Sequence, residues 1–208
     1  SHVPSHAVID GWLGHALGAV ASLYGGKFPC EEFHVFLIPT EETAAEPVVF
    51  GMVARGGARP TVSLFLSSDA SADVLRGEWV AIHEFLHLGM PYVASQDAWI
   101  SEGFVTYMTE VLRSRFGYFN AERDFPSSIA FDVQGASATE AQALMALATL
   151  ELGVTRGVRE SSKLNLSLRD ASARLGELHA FMLVYWGGAS VAILLDRNLR
   201  AMNVGLSV

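Results

Sequence analysis

"AIHEFLHLG", residues 81–89, decides how this chain is read. His83 and His87 stand four apart, and Glu84 directly follows the first histidine. Side chains four apart on a helix project from one face, so both imidazoles can aim a nitrogen at one ion. Glu84 leaves the helix about 100° round from His83, beside such an ion rather than onto it. Two ligands on one rigid element, with a carboxylate near enough to take a proton from water, is the geometry a metallohydrolase needs. An amphipathic helix can carry two histidines for no such reason, so a third ligand is the test.

A metzincin-type histidine six residues after His87 would fall at Val93, which excludes that arrangement. Asp97 sits where the next helix wants an N-cap, and capping is its better use. Glu102 follows in the first turns of that helix, flanked by the apolar "WIS" and "GF", where a helix-turn-helix hairpin brings it back to the histidines. His83, His87 and Glu102 leave a fourth coordination position for water, the open arrangement of catalytic zinc rather than the closed one of structural zinc.

The remaining elements fall around this pair. Residues 7–24 read as an apolar helix stopped by Gly25 and Gly26. "FHVFLI" (33–38), "VVFGMVA" (48–54) and "TVSLFL" (61–66) are rich in β-branched and aromatic residues and predict three strands. A helix is expected from about Asp73 to Leu88, ended by Gly89 and Pro91, and a second from Asp97 to Gly117. Residues 118–135 read as irregular, 137–152 as a helix, and 168–202 as further helical segments.

The chain has 208 residues, half of them apolar, enough for one sizeable core. A net charge of -8 gives no electrostatic footprint for nucleic acid, and no Lys/Arg-rich run suggests anionic lipid. The single cysteine, Cys30, excludes an internal disulfide framework and reads as a small buried hydrophobe. "SHVPSHAV" has no basic n-region or apolar h-region of a signal peptide. Mean hydropathy is high at +0.30. Leu178 to Leu195 lacks charge, but it contains His179, Gly187, Gly188 and Ser190 and is barely of spanning length. A buried core element is expected there, not membrane insertion.

"HEFLH" followed by "WISEGFVTY" resembles the gluzincin zinc peptidases, in which a helix with HExxH precedes one with W-x-x-E-G-F-x-x-Y. The pattern is most similar to the membrane-alanyl and leukotriene-hydrolase type of aminopeptidase and to the glycyl aminopeptidases that carry a PDZ domain. "LYGGKFPCEEFHVFLIP" (23–39) and "YWGGASVAILLDRNLR" (185–200) are similar to further segments of those enzymes. The resemblance implies an α+β, thermolysin-like zincin fold: a small mixed sheet packed on the HExxH helix, then a helical subdomain. It implies one catalytic domain over 1–208, with a sheet-containing part of about 1–90 and a helical part of about 91–208. One zinc ion held by His83, His87 and Glu102, Glu84 as general base, and a peptide or protein substrate follow from it. Tyr185 would be the hydrogen-bond donor to the developing oxyanion.

The chain departs from that pattern in one place. The strand motif G-x-M-E-N, whose glutamate pairs with the substrate's amino group, aligns with "GMVARGG" (51–57) and puts Ala54 at the glutamate. Arg55, next to it, reads as a solvated strand-end residue or as a group favouring a carboxylate-bearing substrate. The β-rich and PDZ modules of the glycyl type are absent from these residues, so a further domain is a possible partner. Three functions therefore compete: a zinc peptidase lacking the usual amine anchor, a non-catalytic metal-containing module that binds peptides or scaffolds, and a hydrolase of a non-peptide bond in a small molecule. Thr106 and Glu110 can orient a ligand imidazole or lie solvated. His34 and His179 are expected as core or edge histidines, and His2, His6 and His15 have no partner spacing.

Overall fold

The structure, a computed structural model, describes residues 4–43, 46–125 and 135–203. It is mixed α+β, with a small three-stranded sheet and a majority of helix. The chain divides into two compact units, Ser1–Gly89 with Tyr118–Ile129, and Met90–Gly117 with Ala130–Val208.

In the first unit, strands β1 (His34–Pro39), β2 (Val48–Ala54) and β3 (Thr61–Leu66) lie where their β-branched residues predict. Their order is β1-β3-β2, with β1 parallel and β2 antiparallel to the central strand. Alternation along β3 buries Val62, Leu64 and Leu66 on one face. Helix α1 (His6–Ala21) buries Trp12, Ala16, Ala19 and Val20, a stripe at helical spacing. It ends in a 3-10 turn and two glycines at positive φ, Gly25 and Gly26.

The single helix expected from about Asp73 to Leu88 is instead two, α2 (Ala72–Leu75) and α3 (Val80–Gly89). At the break the Arg123 guanidinium lies over Gly77, in space any side chain there would need. Arg123 is held in turn by the Tyr118 carbonyl at 2.8 Å and by Asp124. It belongs to α5 (Ala121–Asp124), a short helix within the stretch expected as irregular; residues 126–134 of that stretch lie outside the described residues. Cys30 is half-buried, its thiol donating to the Glu32 carbonyl at 3.2 Å, and so is not a core residue.

The second unit is built on α4 (Ala98–Arg115), closed by Gly117 at φ 71°. Asp97 stands at its N-cap position but makes no capping bond, which corrects the expected role. Its carboxylate pairs with Arg169 at 3.5 Å, while the Trp99 N–H donates to Ser172 Oγ at 3.1 Å. Helix α6 (Ala138–Leu164) starts in the capping box of Ser137 and Glu140 and runs about three turns beyond the expected residue 152. It runs through Gly153, against which the Trp186 indole packs, and Gly157, which faces the backbone of Met182 and Gly187.

Short helices α7 (Leu168–Ala173) and α8 (Leu175–Leu178) follow, then a π-helical stretch Leu183–Gly187 that continues into α9 (Gly188–Ala201). His179 is exposed in the left-handed C-cap of α8 rather than inside an apolar helix. No helix of the described residues is long and apolar enough to cross a membrane. Helices α4 and α9 meet backbone to backbone: a Cβ at Gly103 would stand 2.5 Å from Gly188 Cα. Farther along, Tyr107 donates at 2.6 Å to buried Asp196, which also accepts from Arg200 at 2.6 Å.

Two outcomes are expected. Gly103→Ala should cost about 1–3 kcal/mol through overpacking against backbone that cannot yield. Gly14→Ala, at an α1 position with nothing within 4 Å, should instead add about 0.5–1 kcal/mol. Denaturant melts of the two variants check both signs. Burial, reinforced by Asp196, raises the Tyr107 hydroxyl to about 12. Because the folded value lies above the unfolded one, this stability is complete below about pH 10 and is lost as pH rises through about 12. Ultraviolet titration of the phenolates should show a tyrosine titrating near pH 12 that is lost in Tyr107→Phe; Tyr24, also raised by burial, remains in both.

Candidate metal centre

Helix α3 is buried along most of its length. Ala81, Ile82 and Phe85 are fully enclosed, and α3 packs against α1, β2 and β3. Phe85 meets the rings of Phe28 and Phe33 edge-on at 6.2 and 5.8 Å, and those two rings stack on each other. This apolar grip fixes the rotation of the helix and therefore the directions in which its polar side chains leave it.

Both helix ends are tied by charge. At the N-terminus the buried Glu78 carboxylate accepts from the Val80 and Ala81 N–H groups, the second at 3.0 Å. At the C-terminus the exposed Arg55 guanidinium donates to the His87 carbonyl, where a cation complements the helix dipole. Arg55 is therefore more than a solvated strand-end residue: it joins the end of β2 to the last turn of α3.

His83 and Glu84 are buried, and His87 is half-buried. The Nε2 atoms of the two histidines lie 3.3 Å apart, with the ring planes at 73°. Two nitrogens held about 2.0–2.1 Å from one tetrahedral ion stand about 3.3–3.4 Å apart, so this spacing fits a shared metal. Trp79 sets its indole edge-on to the His83 ring, 5.7 Å between centroids, so Trp79, His83 and His87 form a ladder at four-residue steps. The same helical spacing that singles out the histidines also reaches Trp79, which the sequence reading passed over.

Glu102 completes the set. One ligand atom from each of His83, His87 and Glu102 lies within 4.8 Å of the other two, and these three form a group that can hold a metal ion. Two imidazole nitrogens and a carboxylate oxygen are a donor set that a divalent metal ion can take. Asp97 is not in the group, nor among the described residues is any other histidine. His6, His34 and His179 are exposed, His15 stacks edge-on against Tyr118 at 4.7 Å, and His2 lies outside the described residues.

The other expected residues fall as follows. Tyr185 is half-buried in the π-helical stretch, packed on the cluster of Ala171, Ala180, Leu183 and Val184, with Phe181 6.3 Å from its ring. Thr106 and Glu110 are buried rather than solvated: Glu110 pairs with Arg113 at 3.0 Å, and the Thr106 hydroxyl has no hydrogen-bond partner among the described residues. Ala54 is exposed at the end of β2 and carries no charge for a substrate amine. Comparison of the chain with family models, curated proteins and solved structures found no match.

Isothermal titration with divalent metal ions is expected to find one bound per chain, lost to strong chelators. His83→Ala and Glu102→Ala should each weaken binding by more than the 10–100-fold typical of outer-shell partners, because each removes a direct ligand.

Proposed function

We propose that the chain is a zinc-dependent peptidase of gluzincin type with a thermolysin-like catalytic fold. The observation that carries this is the convergence of His83, His87 and Glu102, with Glu84 following the first ligand on the same buried helix. Zinc held there supplies Lewis acidity, which polarises a peptide carbonyl and makes water acidic enough to deprotonate near neutral pH.

Glu84 does the proton work. Its carboxylate takes the proton as water adds to the carbonyl carbon, then returns it to the amide nitrogen as the C–N bond breaks, releasing a carboxylate and an amine. Its burial beside a ligand histidine shields that transfer from bulk solvent. By the resemblance, the Tyr185 hydroxyl donates to the carbonyl oxygen as it becomes negative, a type of contact worth about 3–4 kcal/mol in other enzymes. With the uncharged Ala54 in place of an amine-binding glutamate, recognition of a free N-terminus is not built into β2.

Zinc-loaded protein is expected to cleave members of a broad peptide library. Glu84→Gln should lower turnover about 10²–10⁴-fold while one zinc stays bound. Turnover that survives this substitution would reject the general-base role. Peptide binding without hydrolysis by the zinc-loaded wild type would turn the reading to the non-catalytic module.

A further inference from the structure

We propose that Gly51 is a positioning residue: a gap in β2 that receives the Glu84 side chain and sets where its carboxylate stands. The inference rests on the reading of Glu84 as general base.

A Cβ at Gly51 would lie 2.6 Å from Glu84 Cγ, 2.8 Å from Glu84 Oε1 and 2.7 Å from Val80 Cγ1. All three are closer than a real Cβ approaches its neighbours, which essentially never falls under 3.0 Å. Cγ is not the loose tip of the glutamate; it is one bond from the Cβ fixed by a buried helix. A methyl at position 51 would therefore displace the whole carboxylate.

The strand is built to put glycine there. A register shift between Val48 and Phe50 interrupts the pairing of β2 with β3. Val48 is buried, so uninterrupted alternation would turn Phe50 and Met52 inward as well. Instead both are exposed, and Gly51 takes the inward place, opposite the buried Leu64. The bulge thus aims the one residue of β2 without a side chain at Glu84, in keeping with the use of bulges to re-aim side chains near functional sites. A base confined between strand backbone and helix keeps one geometry, which reaction rates require to within about 1 Å.

The test is a thermal double-mutant cycle with kinetics beside it. Gly51→Ala should lower Tm by about 3–10 °C. In a Glu84→Ala background the same change should cost less than about half as much, Val80 accounting for the remainder. Equal losses in both backgrounds would overturn the proposal. On peptide substrate, Gly51→Ala should lower kcat about 10–100-fold, with KM and zinc affinity within about threefold of wild type. An unchanged kcat in that folded variant also overturns it. If Gly51→Ala does not fold, Gly51→Ala with Val80→Ala removes the second obstruction and is read by the same criteria. Thermal coupling with a Glu84→Gln enzyme that still turns over would leave the packing and remove the base; a dead Glu84→Gln enzyme without coupling would do the reverse.

Discussion

Seven successive residues of α3, Val80 to Leu86, are buried, and two of them are His83 and Glu84. Everything else about the centre depends on that burial. Enclosing polar side chains is favourable only with apolar packing and polar partners to offset their lost hydration, so a helix that encloses two needs a firm apolar grip. Ile82, Phe85 and Leu86 supply it, at about 1.5–3 kcal/mol for each large apolar side chain removed from water. The same contacts leave α3 no freedom to roll. Ligand direction is thus a by-product of core packing, and the imidazoles meet at 3.3 Å because their neighbours on the helix are locked.

Strand β2 serves this helix twice. Near its middle, Gly51 yields the volume that Glu84 occupies, and just past its end Arg55 reaches the His87 carbonyl. With Glu78 at the opposite terminus, α3 is charge-tied at both ends and backed by a strand with a hole in it. A guanidinium engaged in this way has a structural use.

Local chemistry made the strands, the histidine spacing and the candidacy of Glu102 readable, because β-branched runs, a four-residue repeat and an acidic residue between apolar ones leave direct marks in a sequence. The failures share another cause. Arg123 lies over Gly77 where the expected helix divides, and the Trp186 indole lies on Gly153, through which α6 continues. Asp97 loses the cap because Ser172 supplies it from far along the chain. Thr106 and Glu110, for which a solvated position is one reading of the sequence, are buried, and Glu110 pairs with Arg113 one turn along its own helix. At Gly77, Gly153 and Asp97 the residue that decides the outcome lies far along the chain, beyond any local window.

Within the second unit the same kind of contact links two residues of separate elements. Gly103 adjoins Glu102 on α4, and it touches Gly188, the first residue of α9 and the third after Tyr185. The turn carrying Tyr185 is π-helical, so it holds an extra residue per turn and rotates whatever precedes it relative to an α-helical continuation by about 100°. Glu160 accepts from the Leu183 N–H at 2.7 Å at the start of this wide turn, and Trp186 seats in the α6 groove. The turn is thus held from α6 by Glu160 and Trp186 and from α4 by the close approach of Gly103 to Gly188. A π-turn relaxed to α geometry would keep Tyr185 in the chain yet aim its hydroxyl elsewhere, so its direction is set by packing and not by its own residue type.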